Sequence, residues 1–364
     1  MKSIVFTGGG TGGHVYPGIA VAEKLKPMIS EGSYRIVWLG SPKGMEREIV
    51  RRYSIPFYGI PAGKLRRYFS LRNVTDAAAV AAGYGASLYL LKKLNAVALF
   101  SKGGFVSVPP AAAAKTLGIP AISHESDLDP GLATRLNARF CEKILCAYTQ
   151  TAEDTRFSGK AVVTGNPVRA ELFNGSRHKG RELVGASEGK KIVLVLGGSQ
   201  GARQINRMVE HILDSLLIKA VVVHQMGHLD YSESSFSRSC GYITAPVFTD
   251  TFPHILAAAD VVVSRAGAGT LWENGVFGKP AILIPLGAES SRGDQLRNAS
   301  YFANRGAAEL LSGADLVPEV LLEKIVQLLE DEEKRERMST NAAELCPPDG
   351  AEKIAKEITK LLER

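Results

Sequence analysis

Two near-copies of one segment, KSIVFTGGGTGG at residues 2–13 and KKIVLVLGGSQGA at residues 190–202, stand about half a chain apart. Each has a basic start, a continuous apolar run and a glycine-rich turn. That is the pattern of a buried parallel strand entering a helix through a phosphate-sized loop. A chain that opens twice in this way is expected to form two nucleotide-binding-type α/β domains with a ligand held between them. Its 364 residues exceed what one core usually serves, which agrees with two domains.

Between the copies, apolar runs alternate with helical patterns: IVFT, a helix from about 17 to 28, RIVWLG, a helix from about 44, AVALFS, a helix near 110–117, PAISHE and KILCAY. Strand and helix in strict alternation specify a parallel sheet covered on both faces, with its binding edge at the strand C-termini. TGNPVR at 164–169 interrupts the alternation, and a polar basic stretch follows to residue 191, which makes this region the expected linker. KIVLVLGG, KAVVVHQMG, DVVVSRAGAG and PAILIPLG then repeat the scheme, and amphipathic helices close the chain from about residue 318.

Hydrophobic residues at 45% and charged residues at 22% describe an ordinary globular protein. The four cysteines, Cys141, Cys146, Cys240 and Cys346, have no zinc-ligand spacing and read as reduced thiols. No secretory leader is evident, so a site facing the cytosol is expected. The apolar stretch 77–91 is broken by Gly83 and Gly85 and is too short to span a bilayer. The net charge of +7 suits an anionic partner, and by itself leaves nucleic acid, an acidic substrate and a membrane surface open.

Gly8, Gly10 and Gly13 fit the dinucleotide fingerprint G-x-G-x-x-G, yet the next strand ends in Gly40-Ser41 without an acid for an adenosine ribose. A nicotinamide or flavin site is therefore disfavoured, and no P-loop is present. His14 closes the first loop at a helix start, where the helix dipole favours neutral imidazole, which can accept a proton; loop capping is the alternative. Ser199 adds a hydroxyl to the second loop. SRAGAGTLWE, residues 264–273, opens another helix after a strand, with Glu273 expected on its first turn as a ribose carboxylate or as an ordinary dipole-compensating acid.

Arg169 is a charge near the domain junction, able to neutralise a leaving diphosphate or simply to be solvated. Asp294 and Gln295 follow PAILIPLG and suit sugar hydroxyls. The D-x-D of Asp127 and Asp129, and the pair His224 and His228, are poor metal signatures, and neither a metal nor another cofactor is expected. Residues 63–72, GKLRRYFSLR, interleave Lys64, Arg66, Arg67 and Arg72 with Tyr68 and Phe69. Such a segment suits an anionic bilayer surface, stacking on single-stranded nucleic acid, or a solvated loop.

Seven segments in register, GGGTGGHVYPGIAVAEKL, SKGGFVSVP, HESDLDPGLATR, TGNPVR, GGSQGARQIN, SRAGAGTLWE and SRGDQLRNA, resemble the MurG family, the N-acetylglucosaminyltransferases that convert lipid I to lipid II in peptidoglycan synthesis. The resemblance implies a GT-B fold, two Rossmann-like doubly wound parallel-sheet domains facing a cleft. The expected divisions are 1–165, 166–345, and a final helix within 346–364 returning to the first domain. It implies UDP-GlcNAc as donor, a lipid I acceptor on the first domain, no nucleic-acid partner, and a peripheral position on the cytoplasmic side of the cell membrane.

Residue by residue, Thr11, Gly12 and Gly13 resemble first-loop donor contacts, and Ser199 and Arg169 resemble contacts near the diphosphate. Ala268, Gly269 and Thr270 resemble helix-start contacts, Glu273 the ribose carboxylate, Gln295 a sugar-hydroxyl partner, and His14 the catalytic loop histidine. Lys64, Arg66, Arg67, Tyr68, Phe69 and Arg72 take the membrane-contact role. His124-Glu125-Ser126-Asp127 departs from the His-Glu-Gln-Asn of many members, which bears on the substrate contact expected of Asp127. A GT-B transferase for another lipid such as diacylglycerol is the alternative activity.

Overall fold

The computed structural model describes residues 1–63, 72–198, 201–231, 240–287 and 293–363, without the side chains of 72–74. The chain divides into two compact units, Met1–Arg169 with Pro348–Arg364, and Ala170–Pro347.

The first unit is built on a seven-stranded sheet in the order β3-β2-β1-β4-β5-β6-β7. Its strands are β1 Lys2–Thr7, β2 Tyr34–Gly40, β3 Phe57–Gly59, β4 Ala96–Ser101, β5 Ala121–Glu125, β6 Lys143–Cys146 and β7 Ala161–Val163. All neighbours pair in parallel. The apolar runs of β1 and β4 are buried on both faces, as strands covered by helices require. Order reverses between β1 and β4, so a crevice opens beyond their carboxyl ends.

The second unit repeats this plan with six strands, β10-β9-β8-β11-β12-β13, again all parallel. They are β8 Lys191–Leu196, β9 Ala220–Gln225, β10 Tyr242–Ala245, β11 Val261–Ser264, β12 Ala281–Leu283 and β13 Glu309–Leu310. The reversal falls between β8 and β11.

Several expectations need correction. The first helix is Gly12–Leu25 and not 17–28: Thr11 stands extended as its N-cap, and Pro17 lies inside it, not at its start. Proline marks the first helical turn by preference, but here it occupies the second, where it has no N–H to offer the Gly13 carbonyl. The chain passes between the units just after TGNPVR, between Arg169 and Ala170, inside the stretch expected to link them, and the segment itself is bonded into the first unit. Residues Thr164 to Val168 are buried, His124 Nε2 hydrogen-bonds the Gly165 carbonyl at 2.9 Å, and Ser126 Oγ donates to Asn166 Oδ1 at 2.8 Å. The basic stretch beyond it holds helix Arg177–Leu183, which packs on Phe252–Ala258 so closely that a Cβ at Gly180 would lie 2.0 Å from the His254 carbonyl oxygen. Its polarity is that of the outer face of a docked helix.

The last helix, Gly350–Leu362, turns Ile354, Ala355, Ile358 and Leu361 into the first unit's core beside helix Gly12–Leu25, while Glu357 accepts from Lys143 Nζ at 2.6 Å. The first unit's core thus depends on residues at the far end of the chain. Ile354→Ala, which empties part of this contact, is expected to destabilise that unit by about 3 kcal/mol, lowering its thermal unfolding midpoint by several degrees in calorimetry.

Candidate functional site

The crevice of the first unit is formed by backbone before side chains. The Gly9 carbonyl oxygen lies where a Cβ on Gly104 would stand, at 2.4 Å, so the glycine loop after β1 and the turn after β4 meet only because Gly104 has none. Gly104 also has φ +80°, a left-handed conformation that glycine adopts without penalty. Beneath that turn, Ser101 Oγ accepts from Gly103 N at 3.2 Å and from Asn137 Nδ2 at 3.0 Å.

Glu46 supports the loop from the other side, and sequence reading missed it. Its carboxylate is wholly buried and accepts from Ser41 N at 2.9 Å and Gly10 N at 3.3 Å. A Cβ on Gly9 or Gly44 would come within 2.4 Å of the same carboxyl group. The missing acid after β2 is thus present a few residues downstream, turned toward the loop amides. Its signal was the set of small residues, Gly9, Gly40 and Gly44, that its side chain requires.

Thr11 Oγ1 and His14 Nδ1 lie 3.0 Å apart at the start of the first helix. With the Nδ1 proton donated to Thr11, Nε2 keeps its lone pair beside Gly103, where a Cβ would lie 3.6 Å from it. Arg169 stacks its guanidinium 5.2 Å from the centroid of the Tyr16 ring, on the helix that begins at Gly12.

Beyond β5, Glu125 accepts from the backbone N–H groups of Ser126 and Asp127 at 2.9 and 3.0 Å through one oxygen, and from Gly131 at 2.9 Å through the other. The loop carrying Asp127 is therefore shaped by a carboxylate. Lys102, 1% exposed, donates to Ser126 Oγ at 2.5 Å.

In the second unit, Ala268, Gly269 and Thr270 form the first turn of helix Ala268–Val276 after β11, the turn whose N–H groups lie ahead of the helix's own hydrogen-bond ladder. Glu273 falls on the second turn, not the first, because the helix begins at Ala268 with Gly267 as its cap. Gln295, in helix Asp294–Ala303, accepts from Leu286 N at 3.0 Å through Oε1, which directs its amide NH2 away from that bond. Arg265, not singled out in the sequence, donates to the carbonyls of Ile284 and Pro285 at 2.9 and 3.2 Å and ties the β11 turn to the β12 turn.

A buried relay ends beside Gly197 and Gly201, where a side chain would begin 3.5 Å from Asn206 Oδ1 and 3.4 Å from Asp230 Oδ2. Tyr242 hydroxyl and His224 Nδ1 are 2.9 Å apart, His224 Nε2 and Asn206 Oδ1 3.0 Å, and Asn206 Nδ2 donates to Asp230 Oδ2 at 2.9 Å. His224 is thus a structural residue of β9 and no zinc ligand. Ser199 lies outside the described residues, as do Lys64, Arg66, Arg67, Tyr68 and Phe69, and the side chain of Arg72. Among the described residues no helix is long and apolar enough to cross a membrane, and no group of three or more His, Cys, Asp or Glu side chains could hold a metal ion. Cys141, Cys146 and Cys346 are buried free thiols pushed up in pKa by burial, the first two to about 12, and Cys240 is exposed.

Two doubly wound parallel sheets, each with a strand-to-helix turn at its switch point, define the architecture as GT-B. The chain belongs to glycosyltransferase family 28, with residues 4–146 matching the family's N-terminal domain and residues 192–360 its C-terminal domain. It is 45% identical over 361 residues to the UDP-N-acetylglucosamine–N-acetylmuramyl-(pentapeptide) pyrophosphoryl-undecaprenol N-acetylglucosamine transferase of Treponema denticola, covering 94% of this chain and 90% of that one. The enzyme of the same description from Clostridium kluyveri is 41% identical, covering 90% and 91%. Among solved structures, Acinetobacter baumannii MurG superposes with a TM-score of 0.75 at 24% identity over 99% of this chain and 100% of that one. A UDP-GlcNAc 2-epimerase from Neisseria meningitidis shares the fold at a TM-score of 0.69 and 14% identity, over 99% and 100%.

The buried relay has a pH signature. Burial lowers His224 from 6.5 to about 4, and burial together with Lys102 holds His124 well below its ordinary value. Below pH 6.5 the unfolded chain therefore takes up protons that the native one refuses, and stability falls as pH drops toward 4. For His224 alone the full effect is on the order of 3 kcal/mol. Urea unfolding between pH 7 and pH 4 should show this slope, and His224→Phe, with no proton to gain, should flatten part of it.

Proposed function

We propose that the protein transfers N-acetylglucosamine from UDP-GlcNAc to lipid I, undecaprenyl-pyrophosphoryl-MurNAc-pentapeptide, making lipid II for peptidoglycan. The observation that carries this reading is the identity of 45% to a relative of that description across nearly the whole of both chains. Family membership in both halves supports it.

In this reading the second unit holds the donor. Glu273 accepts the ribose hydroxyls, Ala268, Gly269 and Thr270 meet the nucleotide with helix-start amides, and Gln295 and Ser199 take the sugar and the diphosphate. The first unit supplies Thr11, Gly12 and Gly13 to the transferring sugar and Arg169 to the diphosphate. Residues 64–69 with Arg72 meet the anionic cytoplasmic face of the membrane, where the lipid acceptor resides, so the enzyme is peripheral.

An α-linked donor that gives a β-linked product requires a single inversion through an oxocarbenium-like transition state. His14 Nε2 takes the proton of the MurNAc 4-hydroxyl as that oxygen bonds to the anomeric carbon and the bond to UDP breaks. When the Thr11 hydroxyl accepts the Nδ1 proton, Nε2 is left basic. Charge growing on UDP is stabilised by helix N-termini and Arg169, in place before reaction.

The test is UDP release from UDP-GlcNAc, with and without a soluble lipid I analogue, and with diacylglycerol in a separate arm. Release that requires the lipid I analogue supports the reading; release only with diacylglycerol, or none, overturns it. His14→Ala should lower kcat by about two or more orders of magnitude with donor KM little changed. Glu273→Ala should raise donor KM about tenfold while acceptor KM stays put; an unaltered donor KM with a lower melting temperature would make Glu273 a helix-stabilising acid only.

A further inference from the structure

Two lysines are driven deep into the protein, and burial lowers each to about 8. Lys279 has a structural explanation: it donates to the Ala257 and Ala259 carbonyls at 2.8 and 3.0 Å, capping the end of helix Phe252–Ala258. Lys102 caps nothing. It stands just past the carboxyl end of β4, at the switch point of the first sheet, with its Cβ 3.2 Å from where a side chain on Gly8 would begin. Its hydrogen bond goes to a side-chain hydroxyl, Ser126 Oγ, which passes on to Asn166 Oδ1.

A buried ammonium is a costly way to fill space, and a methionine of similar length would fill it without the desolvation penalty. The fields acting on Lys102 show what the charge accomplishes. The attraction that opposes its desolvation comes from Glu125 and then Asp127, both on the loop that Ser126 belongs to. His124, the other titratable group facing it, is kept neutral by burial and by Lys102 itself. With its pKa near 8, Lys102 is charged at neutral pH. Without it, the negative charge of Glu125, held against its own loop's amides, and of Asp127 would stand uncompensated beside the glycine turn.

We propose that Lys102 is a positioning residue for an anionic acceptor: through Ser126 it fixes the loop at 126–129, and by neutralising Glu125 and Asp127 it lets the first unit's crevice receive a diphosphate-bearing lipid. The inference rests on the acceptor assignment made above. It does not make Lys102 a contact of the reacting atoms, since the side chain is closed off from solvent.

The experiment is steady-state transfer from UDP-GlcNAc to a lipid I analogue with a short prenyl chain and an intact diphosphate. Lys102→Met should raise acceptor KM about tenfold with donor KM and melting temperature near those of the wild type. Adding Asp127→Asn to that variant removes the carboxylate Lys102 answers, and should return acceptor KM to within about threefold of wild type, a coupling that a double-mutant cycle reads directly. Unchanged acceptor KM in Lys102→Met, both KM values rising together with a lower melting temperature, or a loss that Asp127→Asn fails to relieve overturns the proposal. Should Lys102→Met not fold, Ser126→Ala and Asp127→Asn decide: acceptor KM rises in the first and falls in the second, and constancy of either rejects the role. If the wild type transfers nothing to the analogue, the acceptor assignment fails and Lys102 with it; transfer with the wrong variant pattern rejects Lys102 alone.

Discussion

The first unit's crevice depends on a contact that only absent atoms permit, the Gly9 carbonyl set against Gly104. With the loop after β1 fixed on the turn after β4, Thr11 and His14 start their helix at the edge where order in the sheet reverses, and Lys102 is sealed beneath them. Glu46 secures the same loop from behind by taking the Gly10 amide. Shape, hydrogen bonding and charge at this edge are therefore one arrangement, and a change in any of the three is felt by the others.

The second unit reaches a similar edge by different means. Its glycine loop is bordered by the relay Tyr242, His224, Asn206 and Asp230, a chain of neutral groups ending in a carboxylate that Arg203 meets at 3.0 Å. Arg265 joins the turns after β11 and β12. Buried polar groups of this kind are tolerable when each is partnered, and their partners here lie beneath loops that must hold still for a ligand. The division of labour follows: apolar strands set the position of each loop, and polar relays set its conformation.

Much of this was legible in the residues. The duplicated strand-and-glycine segment pointed to two parallel α/β units, and the apolar runs located nine of the thirteen strands among the described residues, because strands buried on both faces leave a continuous hydrophobic trace that the four short edge strands, β3, β7, β10 and β13, do not. His14, Glu273 and Gln295 were readable as edge residues since each follows such a run. Glu46, Lys102 and Arg265 were not, because their roles come from contacts across separate loops that no local spacing encodes. Pro17 misled in the opposite sense, a helix-start residue placed one turn inside, and TGNPVR had the composition of a linker while its backbone is bonded into the first unit. Local composition reports turn chemistry well and tertiary hydrogen bonding hardly at all.

In the proposed function the glycine turns of both units serve one sugar nucleotide. Amide hydrogen exchange with saturating UDP-GlcNAc measures this directly. The account predicts slowed exchange in residues 8–14 of the first unit together with residues 197–202 and 265–273 of the second, and little change on the helices that cover the sheets. Protection confined to one unit, or spread over the helical faces while both loops exchange as fast as in the free protein, would contradict it.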